Sequence, residues 1–446
     1  MGVLSWEILI YGGTFLICFT IVFIYVRKGA KKSAEVRAKV ERAKEEGRFQ
    51  PNSLHPHINL DVCIGSGACV QACPEEDILG LIDGKATVIN TTSCIGHGAC
   101  FHTCPVDAIT LRIGTEERGV ELPHVKPDYE TNVEGIYIAG ELGGMGLIRN
   151  SAEQGIQAVE NLSEGLEKGA YGDCDLVIIG AGPAGLAGSL KAKELGVNAR
   201  VLEQDSLGGT VYTFPRSKVV MTQPMNLPLY GKLKLVNTTK DELLEIWNDA
   251  LTKNDITIDE GCKVERIIQK DNKGFEVQIA GKEAITTQKV LIAIGRRGTP
   301  RKLGVPGEES QKVAYRMLEP EQIEGEKILV VGGGDSAVES ALLVCEKNHT
   351  ILSYRKENFA RIKSGNQQAL EQAVAEGKVE LMLSSNVTEI KPDSVKLTNV
   401  NGDEVEIENH RVYIFIGGEL PIPFLKDAGI DVNMTFGKIL KKHKRK

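Results

Sequence analysis

Two short stretches carry the densest chemistry: "CIGSGACVQACP", beginning at Cys63, and "CIGHGACFHTCP", beginning at Cys94, thirty-one residues later. Each holds three thiols at the same spacing ahead of a proline, Cys63, Cys69 and Cys73 in the first, Cys94, Cys100 and Cys104 in the second. Where the first run has Ser66, the second has His97. Grouped thiolates are soft ligands, suited to iron-sulfur clusters or zinc. Zinc sites are usually assembled from C-x2-C pairs, which this chain lacks. Glycines at 65, 67, 96 and 98 leave the backbone free to wrap a bulky inorganic group and to aim N–H groups at its sulfurs.

Over about 55 residues the two runs resemble the two-cluster bacterial ferredoxins, whose pattern is C-x2-C-x2-C-x3-C-P with the fourth cysteine of each run serving the other cluster. Here the second cysteine of each run is replaced. The resemblance implies one cluster on Cys63, Cys69 and Cys104 with Ser66 in the vacant place, and a second on Cys94, Cys100 and Cys73 with His97 there. Three thiols per site permit a three-iron cluster, or a four-iron cluster completed by Ser, His or water, and the choice stays open. Replacing an anionic thiolate with a neutral group makes a cluster less negative and easier to reduce.

Two further stretches have the form of nucleotide cradles. "DLVIIGAGPAGLAGSLKAKELGVNARVLEQ" sets an apolar strand before Gly180, Gly182, Pro183, Ala184 and Gly185, then an amphipathic helix, then Glu203 ending the next strand. Glycines in that pattern allow a tight turn and the approach of a pyrophosphate to a helix N-terminus, while the acid accepts from ribose hydroxyls. "KILVVGGGDSAVESALLVCEKNHTILSYRK" repeats the form with Gly332, Gly334, Asp335, Ser336 and Ala337. Laid on the first unit without gaps, it puts Arg355 where Glu203 stands, followed by Lys356 and Arg361. A base in place of an acid favours the 2′-phosphate, hence NADPH over NADH.

With "VLIAIGRRGTPRKLGVPG" between them, the two units resemble the thioredoxin-reductase-like flavoproteins over roughly residues 119–435. That resemblance implies FAD in the first unit and a nicotinamide nucleotide in the second. In that family a segment like T-x-V-x-G-I-Y-x-A-G-D near the C-terminus completes the FAD domain; here "TNVEGIYIAGELGG" precedes the first glycine loop, with Gly140 and Glu141 at the flavin-contacting positions. The FAD domain is therefore expected to be circularly permuted. No C-x-x-C pair accompanies either loop, and Cys174, Cys262 and Cys345 are scattered singly, so the resemblance is nearer to ferredoxin-NADP reductases than to disulfide reductases. No acid, base or nucleophile is assigned a catalytic role. A disulfide reductase and a non-catalytic redox sensor are the alternatives.

The elements that must position these groups begin with a different material. Residues 8–26 carry no charge over 19 positions, about the length of a bilayer-spanning helix. Residues 27–48 then hold nine Lys/Arg against four Glu, while the first seven residues have no basic side chain, so the positive-inside bias leaves the rest of the chain in the cytoplasm of a single-pass cell-membrane protein. Residues 29–50 read equally as a helical stalk or a solvated linker. The 446 residues, 48 glycines and 42% hydrophobic content suit several globular domains, and a net charge of −7 argues against a nucleic-acid binder. The expected order is an anchor at 1–28, a charged linker at 29–54, a small α+β ferredoxin-like domain at 55–113, two Rossmann-like α/β domains for FAD at 114–300 and NAD(P)H at 301–420, and a segment with a basic tail at 421–446. The redox partner, a protein or a quinone, and a homodimeric assembly stay open.

Overall fold

The computed structural model describes residues 3–45, 51, 54–75, 77–92, 94, 96, 98–144, 146–213, 218–219, 224–234, 237–270, 274–296, 298, 300–317, 319–359 and 362–442. The chain forms two compact units, one from Met1–Cys94, Gly98–Thr115 and Ile439–Lys446, the other from Ile95–His97 and Glu116–Lys438.

In the first unit, one helix runs unbroken over Val3–Glu45. Its early part is exposed from residue 10 to residue 32 and is long and apolar enough to cross a membrane. Its later part is a different surface. Positions 33, 36, 40 and 43, at helical 3-4-3 spacing, turn inward, and Ala43 is buried. From residue 33 onward the helix thus packs on the rest of the first unit. Val36 packs so closely over Gly80 that a Cβ there would stand 2.6 Å from its methyl. Arg37 pairs with Asp83 at 2.7 Å and Lys39 with Asp77 at 2.6 Å; both pairs are solvent-exposed, so they set register more than stability.

Leu79–Ile82 pairs with Lys85–Val88 in an antiparallel hairpin that turns on Asp83 and Gly84, both at positive φ, as an Asp-Gly turn favours. Leu54–Ile58 pairs antiparallel with Ile109–Ile113, and Lys438–Lys441 adds a third strand on the far side of Ile109–Ile113. Two four-residue helices, Ala68–Gln71 and Ala99–His102, each follow a left-handed glycine, Gly67 and Gly98, so the sequence repeat is also a structural one.

The second unit is α/β. Its larger sheet sets Ile258–Asp259, Ala199–Leu202, Cys174–Ile179 and Ile285–Ile292 side by side and parallel, continuing antiparallel into Gly274–Ile279 and Val264–Lys270. The central strands are near-continuous runs of Val, Ile and Leu because both faces are covered. Ile136–Ile138 joins Ile285–Ile292 in parallel, and the following helix, Ile148–Ser163, packs on helix Pro183–Glu194 so tightly that a Cβ on Gly155 would lie 2.0 Å from the Ala184 carbonyl oxygen. The segment ahead of the first glycine loop thus completes that loop's own sheet.

A second sheet of five parallel strands runs in the order Val313–Ala314, Arg411–Ile414, Lys327–Val331, His349–Tyr354 and Val379–Leu383. After it the chain returns. Helix Ile422–Asp427 puts Leu425 into one core with Ile136, Val177 and Ile292. Val432–Thr435 then pairs antiparallel with Val120–Pro123. Asn132 fastens this return: its Nδ2 donates to the Gly429 carbonyl at 2.9 Å and its Oδ1 accepts from the Asp431 N–H at 2.9 Å.

Candidate functional site

Thiols of the two runs come together in the first unit. Cys63, Cys69 and Cys104 line one recess together with Ser66, Gly65 and Gly67. Burial pushes the Cys69 thiol up, and the neighbouring Cys104 and Cys63 add to the rise. Cys100 is raised in the same way, first by burial and then by Cys94 and Cys73. Cys104 of the second run thus lies beside Cys63 and Cys69 of the first, and Cys73 of the first run is among the thiols that act on Cys100. His97, expected at the second site, lies outside the described residues.

Among the described residues no three His, Cys, Asp or Glu converge on the position of a single metal ion. Three soft donors spread around a recess instead suit a larger, caged group, so the donor set fits an iron-sulfur cluster. Local folding explains the spread. A Cβ on Gly65 would stand 1.8 Å from the Gly84 carbonyl oxygen, so only glycine lets the first loop close on the hairpin turn. Backbone donors reach two of the sulfurs, Ala86 N–H to Cys63 Sγ at 3.4 Å and Ala108 N–H to Cys104 Sγ at 3.3 Å, and such bonds tune cluster potentials. Lys85 Nζ donates to the Cys63 carbonyl at 2.6 Å and brings a positive charge beside the site. Ser66 is exposed, and its Oγ accepts from the Ala68 N–H at 3.4 Å.

In the first glycine loop, Gly180 has φ of +102°, and a Cβ there would meet the Ala293 carbonyl oxygen at 2.7 Å. A Cβ on Gly185 would stand 1.8 Å from the Gly180 carbonyl oxygen, so strand and helix touch there. Gly182 faces space with no protein atom within 4 Å, directly ahead of the helix that starts at Pro183. That is a cradle of the right kind for a pyrophosphate. Glu203, 5% exposed, accepts from the Ala181 N–H through Oε2 at 2.7 Å and from the Asp205 N–H through Oε1 at 3.0 Å. It braces the loop from beneath.

Gly140 also stands at positive φ, and its N–H donates to Gln154 Oε1 at 2.8 Å. Gln154 lies on the helix Ile148–Ser163, and sequence reasoning gave it no role. Glu141 opens the short turn Glu141–Gly143. Its charge acts on Arg296, whose guanidinium is held down chiefly by burial and raised by Glu141 and Glu121. Arg296 was likewise not singled out, although it sits in the quoted "AIGRRG".

The second loop repeats the geometry. A Cβ on Gly332 would meet the Phe415 carbonyl oxygen at 2.4 Å and the Ala337 methyl at 3.0 Å, whereas Gly334 faces open space. Asp335 and Ser336 begin the helix Asp335–Val344, and Asp335 Oδ1 accepts from the Lys363 N–H at 2.8 Å and from Asn366 Nδ2 at 2.7 Å. Tyr354 lies flat over Gly333, close enough to exclude any Cβ there, and stacks on Phe359 at 5.1 Å. Arg355 and Lys356 follow it, exposed. Arg361 lies outside the described residues. Cys174, Cys262 and Cys345 are each buried, and none forms a disulfide. Cys262 Sγ accepts from Lys282 Nζ at 2.9 Å.

Two dinucleotide cradles on parallel sheets, with a separate cysteine-lined unit, define a flavoprotein oxidoreductase carrying an iron-sulfur domain. The chain belongs to the pyridine nucleotide-disulphide oxidoreductase family, whose model matches residues 177–444, and a 4Fe-4S dicluster domain model matches residues 55–105. It is an FAD-dependent pyridine nucleotide oxidoreductase, and FAD, NADP(H) and iron-sulfur are its cofactor classes. Among curated relatives, a ferredoxin–NADP reductase of Ignicoccus hospitalis is 28% identical, covering 60% of this chain and 84% of the relative. A ferredoxin–NADP reductase of Picrophilus torridus is 30% identical over 55% of this chain and 73% of its own length, and the bacilliredoxin reductase of Bacillus subtilis is 24% identical over 59% and 82%. Among solved structures, thioredoxin reductase from Lactococcus lactis is 26% identical with a TM-score of 0.45, covering 58% of this chain and 82% of its own. The bacillithiol disulfide reductase of Staphylococcus aureus is 21% identical with a TM-score of 0.49, covering 59% and 85%.

Proposed function

We propose that this protein is a membrane-anchored, NADPH-dependent flavoprotein that passes electrons through FAD to two iron-sulfur clusters of its own, and from them to a further acceptor. The observation that carries the proposal is the recess lined by Cys63, Cys69 and Cys104, on one chain with two glycine cradles; Cys94, Cys100 and Cys73 are assigned to the second cluster. When bound, FAD and NADPH supply the two-electron half of the chemistry and the clusters the one-electron half. The chain's own residues do the holding. Gly180, Gly182 and Gly185 shape the pyrophosphate site at the start of helix Pro183–Glu194, with Pro183 and Ala184 in its first turn and Glu203 behind the loop. Gly140 and Glu141 take the flavin side, steadied by Gln154. Gly332, Gly334, Asp335, Ser336 and Ala337 hold the nicotinamide nucleotide, and Arg355, Lys356 and Arg361 attract its 2′-phosphate. Ser66 and His97 occupy the places of the missing cysteines.

The domains follow this division: anchor at 1–28, charged stretch to 54, cluster domain at 55–113, a permuted FAD domain at 114–300, the NADPH domain at 301–420, and the closing segment at 421–446. The apolar part of the helix Val3–Glu45 supports a single membrane span with the remaining chain on the cytoplasmic side. Ferredoxin as a partner of the curated relatives supports an iron-sulfur destination for the electrons, here built into the same chain. The test is anaerobic purification from detergent-solubilised membranes. A flavin absorption spectrum with iron and sulfide in the ratio for two clusters is expected; zinc in place of iron would end this reading.

A further inference from the structure

We infer that the first cluster loop, through Leu60, Val62 and Ile64, rests on the lipid bilayer that the N-terminal helix enters, so that the Cys63, Cys69, Cys104 site faces the membrane and the Cys94, Cys100, Cys73 site stands farther from it. This rests on the membrane reading proposed above.

Register along the helix sets the order. Residue 26 ends the apolar stretch, and Ser33, about 10 Å farther along the axis, accepts from the Asp83 N–H at 3.1 Å. Arg37 holds the same Asp83, and Lys39, about 20 Å from residue 26, holds Asp77. The hairpin strand Leu79–Ile82 therefore runs back toward the bilayer, and its turn, Asp83 and Gly84, is the end nearest the lipid. The first cluster loop is built on that turn: Gly65 abuts the Gly84 carbonyl oxygen, Lys85 Nζ donates to the Cys63 carbonyl, and the Ala86 N–H donates to Cys63 Sγ. The second run starts from the hairpin's other end, where the Ile89 N–H donates to the Ile78 carbonyl and the Cys94 N–H to that of Thr91.

The surface of the first loop fits lipid. Leu60 is 54% exposed, Val62 43% and Ile64 64%, while Cys63 among them is buried at 7%. These three side chains are aliphatic, without the aromatic or Arg anchors that dominate protein interfaces, and the exposed Asp61 between Leu60 and Val62 is placed to reach the headgroup layer. Three such residues fall far short of the about 800 Å² per partner of a standard protein interface. A tethered contact needs no such area, because the helix already holds the loop at high effective concentration beside the bilayer. Arg27, Lys28, Lys31 and Lys32 at the start of the charged stretch, and Lys85 beside the loop, carry the charge that anionic headgroups attract.

The test places a photoreactive benzophenone amino acid at Ile64 of the full, cluster-loaded chain in nanodiscs of phosphatidylcholine and phosphatidylglycerol. The control is the same group at Val400, an equally apolar residue 70% exposed on the second unit. After irradiation, mass spectrometry should find lipid adducts at Ile64 several-fold above those at Val400. Equal yields, or adducts at Ile64 to protein alone, in chains that have entered the nanodisc would overturn the inference while leaving the anchor intact. Failure of the chain to enter the nanodisc would remove the membrane reading and the inference with it. If the Ile64 protein loses iron, the photoreactive group at Leu60 gives the same reading independently.

Discussion

At Gly182 a methyl group would enter open space, while at Gly185 it would strike the Gly180 carbonyl oxygen, and the two substitutions should separate binding from folding. Gly182→Ala is expected to leave the thermal midpoint of the flavin-free protein unchanged yet lower bound flavin by an order of magnitude, because the methyl occupies the pyrophosphate's place. Gly185→Ala should reduce folded yield itself. Flavin content per folded protein, measured by absorbance beside circular dichroism, checks both; equal flavin content in Gly182→Ala and wild type would contradict the cradle. At the first cluster loop, Ser66→Cys adds a thiolate beside Cys63, Cys69 and Cys104, and the extra negative charge should lower that site's potential. An EPR-monitored redox titration reads the shift, and an unmoved potential would mean that residue 66 does not touch the cluster. Arg355→Glu should raise KM for NADPH more than for NADH; equal losses would remove the basis for the preference. These residues were legible because their types are unusual at fixed spacing. Gln154 and Arg296 were not, since each acts through a partner that folding alone brings close.

Between the two glycine loops the chain is pinned by Glu308, buried at 6% and accepting from the Leu303 N–H, the Gly304 N–H and the Tyr315 hydroxyl. Burial raises its pKa, but the hydrogen bonds from Tyr315 and the backbone outweigh burial, and the carboxyl is held below its ordinary value. The sign follows: this stability is fully present above the unfolded-state value and is lost as pH falls through the lower folded-state value. Glu308→Ala should cost roughly 1–3 kcal/mol at neutral pH by leaving buried N–H groups unpartnered. Denaturant melts at pH 7 and at acidic pH should show the gap to wild type narrowing on acidification; a constant gap would assign the loss to packing instead. Strands and helices beside the glycine loops were readable from their apolar periodicity. The helix Val3–Glu45 was harder: its charged half reads equally as a linker until the hairpin supplies partners for Val36, Arg37 and Lys39.

For the molecule as a whole, the position of "TNVEGIYIAGEL" ahead of the first glycine loop was visible in the sequence, but the ladder that closes the unit was not. The pairing of Val432–Thr435 with Val120–Pro123 links residues more than 300 positions apart, and no local pattern announces such a ladder. Because that pairing brings the reductase unit's two loose ends together, a rewired chain starting at Asp173, running to Thr435, crossing a short glycine loop into Val120 and ending at Ser163 should fold and bind FAD. Its thermal midpoint should fall within a few degrees of the same unit in the native protein; a chain that collapses without flavin would show that the ladder does not mark a permutation joint.

The most direct test of electron flow from NADPH through flavin to the protein's own clusters is anaerobic addition of NADPH to the purified, cluster-loaded protein, followed by optical and low-temperature EPR spectra of one sample. The flavin band should bleach, and signals of reduced iron-sulfur should appear within catalytic time, with Arg355→Glu slowing both together. Bleached flavin beside clusters that stay oxidised until dithionite is added would contradict the account.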